Sequence, residues 1–421
     1  MASTIDSPRP AAGAARTVLF TLTLVNLFNY IDRFILPGLA VSLKLSALHI
    51  TDTQLGLLST SFILVYALSA PRFGELGDRQ RRPQLIAGGV AVWSVATIFG
   101  GFAWSFLSLL IARAILGIGE GANGSVAPAL LADTFPRERR GRVFAIFFSA
   151  IPIGAALGYM LAGVMDKHFG WRSAFFVAGA PSLLLAILLS RLPEATRREL
   201  APPLLKRTRA AIYGGLVRNR QYVLTVLGYA MYTFAMGALA VWMPSFLTRV
   251  HGVARDTAAV QVGAIAVVTG LVGTFAGGWL GDWLLRYTKH AYLLLSSVTT
   301  LLAVPFVLIT LLAHQPHWFM SGLIVAELLM FASTGPVNSA IISYVPATQQ
   351  ATAMALSILT IHLLGDAPSP AIVGWLSDTA HATGMADGDA LRRGLMILPA
   401  AVAASGVLWA IGAAGKRQLS S

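Results

Sequence analysis

The sequence contains no cysteine and few charged residues, and each of these features excludes or disfavours some classes of protein. Without cysteine, the 421-residue chain has no disulfide, thiolate metal site, iron–sulfur cluster or cysteine nucleophile. Charged residues make up only 12% and hydrophobic residues 56%, whereas soluble domains carry about 25% charged residues. This composition argues against a soluble enzyme and excludes an intrinsically disordered chain.

Long hydrophobic runs are abundant, and a run of about 20 apolar residues is enough to cross a bilayer as a helix. The twelve predicted spans are Thr17–Leu43, Leu55–Phe73, Leu85–Ala103, Phe106–Leu131, Val143–Met165, Trp171–Leu192, Tyr222–Thr248, Thr257–Leu280, Ala291–Ala313, Trp318–Tyr344, Ala351–Leu376 and Ala390–Ala414. The predicted domains are two six-helix halves at 17–192 and 222–414, a cytoplasmic linker at 193–221, and cytoplasmic tails at 1–16 and 415–421. The fold is therefore predicted to be all-α and integral to the membrane.

The distribution of basic residues predicts the orientation. With the N-terminus inside, 22 Lys and Arg lie in cytoplasmic segments and seven in outer loops, while Arg33 and Arg113 lie within spans. The positive-inside rule then places both termini in the cytoplasm. The same distribution explains the net charge of +13 without any nucleic-acid partner. We expect a multi-pass protein of a bacterial inner (cytoplasmic) membrane that acts as a monomer.

A small-x-x-x-Asp pattern recurs at the ends of four spans. Gly74–Asp78 closes span 2, and Gly278–Asp282 closes span 8, 204 residues later. Ala162–Asp166 and Gly374–Asp378 close spans 5 and 11. Because one copy ends the second helix of every three-helix block, the pattern predicts two halves, each built from inverted three-helix repeats, as in secondary transporters.

Several motifs resemble one family of transporters. Gly74–Arg82 resembles the loop motif of the major facilitator superfamily between helices 2 and 3, and Arg113–Gly117 resembles its helix 4 motif. Four longer stretches resemble the Spinster branch of that superfamily: Asn29–Arg33, Gly117–Asp133, Ala150–Tyr159 and His362–Asp378. The resemblance departs from the loop motif at Gln80 and Pro83 and is weakest in spans 7 to 9.

This resemblance implies the major facilitator fold and a secondary transporter that works by alternating access. It further implies substrates similar to lysophospholipids or sphingoid phosphates, which are lipid-like amphiphiles. A drug or small organic anion exporter of the same superfamily is the alternative within transporters. A lipid-modifying membrane enzyme and a passive scramblase or receptor are alternatives of other classes.

Six charged residues lie in the middle of predicted spans: Asp32, Arg33, Arg113, Glu120, Glu327 and Asp366. Each costs about 2.5–3.5 kcal/mol at a helix centre if it is unpaired. Four carboxylates face two guanidiniums, so at least two carboxylates lack an intramembrane cation. Such carboxyls are candidates for taking up protons, and the pattern predicts coupling of transport to protons.

The charges of the first half are placed on two spans. Arg113 and Glu120 are two turns apart and share one face of span 4. Asp32 and Arg33 differ by about 100° around span 1, so we expect one to face span 4 and the other the cavity. The resemblance implies that the acid–base pair Asp32 and Arg33 on span 1 and Glu120 on span 4 take part in transport and proton coupling. We assign Asp32 and Glu120 to proton coupling and Arg33 and Arg113 to the substrate cavity; a static ion-pair network is the alternative.

The second half offers three further candidates for the substrate cavity. His362 and Asp366 are one helical turn apart on span 11. Pro368 and Pro370 break that helix just beyond them. Glu327 lies toward the middle of span 10. The alternatives are a structural histidine and, for Glu327, an ion pair across the second half.

The loop motif predicts a cytoplasmic gate formed by Asp78, Arg79, Arg82 and Asp133. Asp78 is predicted to cap the N-terminus of span 11 near residues 350–352, because helix N-termini attract anions. Arg82 or Arg79 is predicted to bridge to Asp133. The alternative is a solvated basic turn that obeys the positive-inside rule.

No motif for catalysis or for a cofactor is found. Gly119-x-Gly121-x-x-Gly124 matches the dinucleotide fingerprint, but it lies inside a hydrophobic run rather than between a strand and a helix. The sequence has no His-Glu-x-x-His zinc motif, no P-loop lysine and no evident nucleophile–base pair. We therefore expect no metal, no cofactor and no enzymatic activity.

Overall fold

The structure is a computed structural model that describes residues 12–135, 137–192, 209–346 and 349–414. Residues 1–11 of the predicted N-terminal tail, the predicted C-terminal tail and the greater part of the predicted linker lie outside these ranges, whereas residues 12–16 of the predicted N-terminal tail belong to the first helix. The described residues form helices α1–α17 and one π-helical turn. In chain order, the α-helices are Ala12–Gly38, Ala40–Leu45, Asp52–Arg79, Arg82–Gly101, Phe106–Thr134, Arg137–Phe169, Trp171–Ser190, Arg209–Arg218, Arg220–His251, Arg255–Leu284, Ala291–Leu312, Pro316–Phe331, Thr334–Ser343, Gln350–Ile361, Pro368–Ala382, Asp387–Leu395 and Ile397–Ala414.

Twelve segments of the described chain are long and apolar enough to cross a membrane, which confirms the predicted number. Nine of them are single helices. The other three join neighbouring helices: α12 with α13, α14 with α15 through the π-helical turn His362–Asp366, and α16 with α17. The short helices α2 and α8 are not among the twelve.

The first span is shorter at its end than the sequence predicts. Span 1 was expected to reach Leu43, but α1 ends at Gly38 and Ala40–Leu45 forms the separate helix α2. Pro37 lies in the last turn of α1. Proline lacks the backbone N–H and crowds the carbonyl four residues earlier, so a helix tends to break near it.

Local signals set several other helix ends. Ser105 caps α5 in a reciprocal capping box with Ser108. The side chain of Asn219 accepts a hydrogen bond from the backbone N–H of Tyr222 at the start of α9. Gly252 follows α9 with φ of +68°, a left-handed conformation that glycine adopts without strain. These signals determine where the spans begin and end.

The chain divides into two compact units. The first unit contains Met1–Leu48 and Ser61–Leu204, and the second contains His49–Thr60 and Leu205–Ser421. Helix α3 therefore contributes its first turns to the second unit and the rest of its length to the first. The sequence contained no sign of this division within one helix. The predicted domain boundaries stay a prediction.

Glycines bring the helices of the first unit into backbone contact. A Cβ on Gly154 or Gly158 of α6 would lie 2.7 Å from the Leu27 carbonyl oxygen or 2.5 Å from that of Ile31, both on α1. A Cβ on Gly119 would lie 2.7 Å from the Trp93 backbone nitrogen of α4. The dinucleotide-like glycines thus serve helix packing, which is a common use of small residues in membranes. This packing fixes α1 and α5, the helices that carry the mid-span charges of the first unit, and α4, which packs against α5.

Buried aromatic side chains tie α9 to its neighbours in the second unit. The Trp242 indole donates to the Pro370 carbonyl at 3.1 Å, and the Tyr232 hydroxyl donates to the Met330 carbonyl at 3.0 Å. The Trp409 indole of α17 donates to the Thr225 carbonyl at 3.0 Å. Each polar tip of these rings therefore has a buried partner.

Candidate functional site

A short ion pair joins α1 to α5 inside the first unit. Arg33 Nε donates to Glu120 Oε2 at 2.6 Å. The Glu120 side chain is fully buried, whereas the Arg33 side chain retains 19% of its exposure. A charge-assisted bond of this length is strong in a medium of low dielectric constant. It satisfies one oxygen of Glu120 and leaves the Arg33 side chain partly exposed.

A second, looser ion pair lies beside the first. Arg113 Nη1 is 3.9 Å from Asp32 Oδ1, and the two side chains are 3% and 2% exposed. This distance is too long for a hydrogen bond. The other Asp32 oxygen, Oδ2, accepts a hydrogen bond from the Thr97 hydroxyl of α4. Asp32 is therefore held by a neutral hydroxyl at one oxygen and by a distant cation at the other.

The expectation that only one of Asp32 and Arg33 faces α5 is wrong. Both residues pair with α5, Arg33 with Glu120 and Asp32 with Arg113. The two partners lie about two turns apart on α5. Side chains that leave α1 about 100° apart therefore reach different heights of the same neighbouring helix, and the four charges form one cluster.

Three aromatic rings surround the guanidiniums, and sequence reasoning did not anticipate this role. Arg33 Cζ lies 4.9 Å from the ring centroid of Tyr30, 5.1 Å from that of Phe62 and 4.8 Å from that of Tyr66. Arg113 Cζ lies 5.0 Å from the centroid of Phe62. All four distances are within the range of cation–π attraction. The available signal was the four-residue spacing of Phe62 and Tyr66 on one helix face.

The charged cluster is incompletely hydrogen-bonded. Among the described residues, four of its buried polar atoms have no hydrogen-bond partner: Asp32 Oδ1, Arg113 Nε, Arg113 Nη1 and Glu120 Oε1. Buried polar groups in proteins are normally satisfied, and a partly satisfied network is costly in a medium of low dielectric constant. Such a network is suited to changing its partners.

In the second unit, Glu327 of α12 is buried beside a hydroxyl rather than a cation. The Thr269 hydroxyl of α10 donates to Glu327 Oε2 at 2.8 Å. Within the described ranges, no cationic side chain forms an ion pair with Glu327. The sequence predicts at least two intramembrane carboxylates without a guanidinium partner, and Glu327 is one such carboxylate among the described residues.

His362 and Asp366 bound a π-helical turn between α14 and α15. His362 Nδ1 lies 3.0 Å from both carboxylate oxygens of Asp366. Their side chains are partly exposed. Pro368 follows and cannot donate a backbone hydrogen bond, which favours a local rearrangement of the helix. Single π-helical turns within helices are frequent at functional sites.

The predicted site residues thus fall into separate places. Asp32, Arg33, Arg113 and Glu120 come together in the first unit. Glu327 and the His362–Asp366 pair belong to the second unit, and each has its own partner there.

One predicted contact of the loop motif is present. Arg82 Nη1 donates to Asp133 Oδ2 at 2.5 Å, and Arg82 Nε donates to the Gly77 carbonyl at 3.2 Å. Arg82 rather than the exposed Arg79 therefore makes the bridge to Asp133. The side chain of Asp78 lies outside the described part of the structure. Its predicted capping contact, and the gating role of all four residues, stay predictions.

The other three aspartates of the repeated pattern each accept a hydrogen bond. Asp166 accepts from the Ser42 hydroxyl. Asp282 accepts from the Tyr292 hydroxyl at 2.8 Å. Asp378 accepts from the backbone N–H groups of Asp52 at 3.0 Å and Thr53 at 2.7 Å. Asp378 therefore caps the N-terminus of α3, the kind of contact that the sequence predicts for Asp78.

A dense charged cluster surrounds this helix start, and we call it the Asp52 cluster. It comprises Asp52, Arg249, Ser377, Asp378 and Asp387, all in the second unit. Arg249 chelates Asp52 through Nη1–Oδ1 at 3.0 Å and Nη2–Oδ2 at 2.8 Å, and it also donates to Asp387 Oδ1 at 2.8 Å. Ser377 donates to Asp52 Oδ2 at 2.6 Å.

Sequence reasoning missed the Asp52 cluster, although the signal was the fourth copy of the repeat. Gly374 opens that copy, and a Cβ there would overlap the Asp52 carbonyl. A Cβ on Gly56 would likewise overlap the Pro370 carbonyl. Helices α3 and α15 therefore meet backbone to backbone, which brings Asp378 within reach of the first turn of α3.

Within the described residues, twelve segments are long and apolar enough to span a membrane and several of them carry buried charges, which is typical of a membrane transport protein. A family model described as Major Facilitator Superfamily matches residues 22–370. The chain is 32% identical over 389 residues to Protein spinster homolog 1 of Mus musculus, covering 87% of this chain and 74% of that protein. It is 30% identical over 373 residues to the Sphingosine-1-phosphate transporter SPNS2 of Xenopus tropicalis, covering 85% and 72%.

A solved structure agrees in fold. The crystal structure of a bacterial homologue of the human lysosomal transporter Spinster, in an inward-facing and unoccupied conformation, matches with a TM-score of 0.82 at 24% identity, and the match covers 96% of both chains. The chain therefore belongs to the Spinster branch of the major facilitator superfamily. This confirms the resemblance that the motifs indicated, and the protein is a multi-pass membrane transporter.

Proposed function

We propose that the protein is a proton-coupled secondary transporter that moves a lysolipid or sphingoid-type amphiphile by alternating access. The observation that carries the proposal is the cluster of Asp32, Arg33, Arg113 and Glu120. This cluster contains two buried carboxyls and two guanidiniums. The Arg33–Glu120 ion pair is short, whereas the Arg113–Asp32 pair is loose. If the cluster only joined helices, all of its buried polar atoms would be expected to have hydrogen-bond partners. Four polar atoms of this cluster have no described hydrogen-bond partner.

The loose pair is the part best suited to bind and release a proton. Asp32 already receives one hydrogen bond from Thr97 and loses only a 3.9 Å contact to Arg113 if it becomes neutral. Glu120 would instead lose a 2.6 Å bond to Arg33. We therefore propose that the two carboxyls exchange protonation and partners in turn. A change of partner in one step then alters the proton affinity of the other carboxyl.

The anionic head group of an amphiphile is proposed to bind at Arg33. The Arg33 side chain is more exposed than that of Arg113, and a guanidinium binds phosphate or carboxylate in a bidentate manner. The name of the Xenopus relative, a transporter of sphingosine-1-phosphate, supports a phosphate-bearing lipid. Arg113, Glu327, His362 and Asp366 complete the proposed list of cavity residues, and the partly exposed His362–Asp366 pair is more accessible than buried Glu327.

We further propose that Asp78, Arg79, Arg82 and Asp133 form a gate on the cytoplasmic side. The bond from Arg82 to Asp133 supports a rigid turn after α3. In the proposed gate this turn presents Asp78 to a helix N-terminus in one state and withdraws it in the other.

Transport by purified protein in proteoliposomes tests the proposal. We expect labelled lysophospholipid or sphingoid phosphate to show counterflow without a pH gradient. With a gradient of about two pH units and one proton per substrate, accumulation can reach about a hundredfold, because each pH unit corresponds to a factor of ten. A protonophore should abolish the accumulation but not the counterflow. Protein-free liposomes give the background.

Three results would contradict this function. Competition by hydrophilic organic anions and none by amphiphiles would support the organic anion exporter. Equilibration across the bilayer without counterflow would support a scramblase. Substrate accumulation that does not depend on the pH gradient would show that transport is not coupled to protons.

The proposed location is a bacterial inner membrane, with the protein acting as a monomer and both termini in the cytoplasm. Because the natural chain has no cysteine, single cysteines report sidedness without background. We expect Arg139→Cys to react with an impermeant maleimide only from the cytoplasmic side. Arg393→Cys, also exposed, is the matched control and should react only from outside. Labelling of Arg139→Cys in intact cells would refute the orientation.

A further inference from the structure

The ring of Phe62 is shared by two guanidiniums. Its centroid lies 5.1 Å from Arg33 Cζ and 5.0 Å from Arg113 Cζ. The side chain is buried, with 5% exposure. Phe62 is therefore a hydrophobic residue in simultaneous contact with both cations of the charged cluster, although it belongs to a third helix, α3.

A close contact between two helices holds the ring at this height. A Cβ on Gly117 of α5 would lie 2.6 Å from the Phe62 carbonyl oxygen, so only a glycine allows the two backbones to approach. Gly117 lies four residues after Arg113 and three before Glu120, on the same face of α5. A Cβ on Gly124 would similarly lie 2.5 Å from the Tyr66 hydroxyl. Helix α3 therefore presents Phe62 between the two charges of α5.

The ring gives each guanidinium an attraction in addition to that of its carboxylate partner. Aromatic faces are electron-rich and attract cations, and this attraction is stronger where water is excluded. Two guanidiniums in one buried cluster repel each other and would both be drawn to whichever carboxylate is nearest. A ring that attracts both of them offsets this repulsion, so that Arg33 stays beside Glu120 and Arg113 stays beside Asp32.

We propose that Phe62 is a positioning residue of the coupling step, which holds Arg33 at Glu120 and Arg113 at Asp32 until one carboxyl takes up a proton and the partners exchange. This inference rests on the proposed function, because it concerns the same cluster. The groups that face the ring or the two pairs are Tyr30, Asp32 and Arg33 on α1, Tyr66 on α3, Thr97 on α4, and Arg113 and Glu120 on α5.

The test distinguishes the effect of the aromatic ring of Phe62 from the effect of the space that its side chain fills. Phe62→Leu removes the ring, and Phe62→Tyr retains it. Phe147→Leu is the control, because Phe147 is an equally buried phenylalanine of the first unit that packs on Phe148 and has no described contact with a guanidinium. Each variant is reconstituted in proteoliposomes. Counterflow and accumulation driven by a pH gradient are then measured in parallel.

We expect Phe62→Leu to reduce proton-driven accumulation by about tenfold or more, the scale of a lost buried cation–π contact, while counterflow changes less than about twofold. Phe62→Tyr and Phe147→Leu should both keep accumulation near the wild-type level. This split is not expected of a residue that only fills space, because poor packing lowers counterflow and accumulation together.

The outcomes distinguish this inference from the function on which it rests. If Phe62→Leu accumulates substrate like wild type while Glu120→Gln does not, the role of Phe62 is refuted and the proposed coupling stands. If Phe62→Leu loses counterflow as well, and volume-matched Phe62→Met does the same, Phe62 supports the fold rather than the coupling. If Asp32→Asn and Glu120→Gln both retain coupling, the proposed coupling site fails and the role of Phe62 fails with it.

Discussion

Replacing Glu120 with glutamine or Asp32 with asparagine is expected to abolish proton-driven accumulation of substrate. Each change removes one ionisable group from the buried cluster and keeps the shape of the side chain. A transporter that no longer binds the coupling proton has no means of drawing on the gradient. A gradient of about two pH units that supports about a hundredfold accumulation in the wild type should then support none.

Counterflow should survive in both variants, because exchange of substrate needs no net movement of protons. Its survival also shows that the variants are folded. The physical argument is linkage: a carboxyl whose partners differ between two states binds protons with different affinity in each. Protonation then biases the conformational equilibrium by about 1.4 kcal/mol for every tenfold difference in affinity.

Distances between spin labels in the two halves, measured against pH, give an independent measurement. We expect the wild-type distance distribution to shift with pH and the distributions of Asp32→Asn and Glu120→Gln to be insensitive to it. Thr97→Val is a graded control, since it removes the hydroxyl bonded to Asp32 and leaves all four charges. If both charge variants keep the wild-type response, the proton binds elsewhere, and His362 with Asp366 becomes the next candidate.

Arg249→Ala is expected to destabilise the protein strongly. Arg249 chelates Asp52 through two hydrogen bonds, and the Asp52 side chain is only 1% exposed. Removing one member of a buried ion pair leaves the other charge uncompensated and typically costs about 3–5 kcal/mol. The same substitution removes the bond to Asp387 that ties α9 to α16.

The chain offers a matched control for this prediction. Arg392 pairs with Asp389 at 2.9 Å, but Asp389 is 59% exposed, so Arg392→Ala should cost about 1 kcal/mol or less. The unfolding midpoints of the two variants in detergent are compared with that of the wild type. The double variant Arg249→Ala/Asp52→Asn should recover part of the loss, because the buried charge is gone. Equal midpoints for Arg249→Ala and Arg392→Ala would refute the structural importance of the Asp52 cluster.

Much of the fold follows from hydropathy and local signals. Each span is a run of apolar residues, and a backbone in lipid must satisfy its own hydrogen bonds, which leaves the helix as the structure of such a run. The predicted end of span 1 is wrong for a local reason. The sequence stays largely apolar through Ala40–Leu45, but α1 ends at Gly38, just after Pro37. Apolar content predicts whether a segment enters the membrane and says less about where its hydrogen bonding stops.

The charged residues of the candidate site were visible in the sequence, but their partners were not. Asp32, Arg33, Arg113 and Glu120 stand out because ionised groups are rare at helix centres. That Arg33 pairs with Glu120 at 2.6 Å and Arg113 with Asp32 at 3.9 Å depends on how α1 is rotated against α5. That rotation is set by glycine contacts such as Gly158 against Ile31 on the other side of α1.

The sequence by itself determined the membrane location of the chain, the number of spans, the superfamily and the identity of the buried charges. These properties depend on the hydropathy of single segments and on motifs a few residues long. Only the tertiary structure decided which charges form pairs, that the Phe62 ring lies close to two guanidiniums, and that Asp378 caps α3 beside Arg249 and Asp52. These contacts join residues far apart in the chain. They depend on the rotation and depth of whole helices, which are set by the packing of many side chains at once.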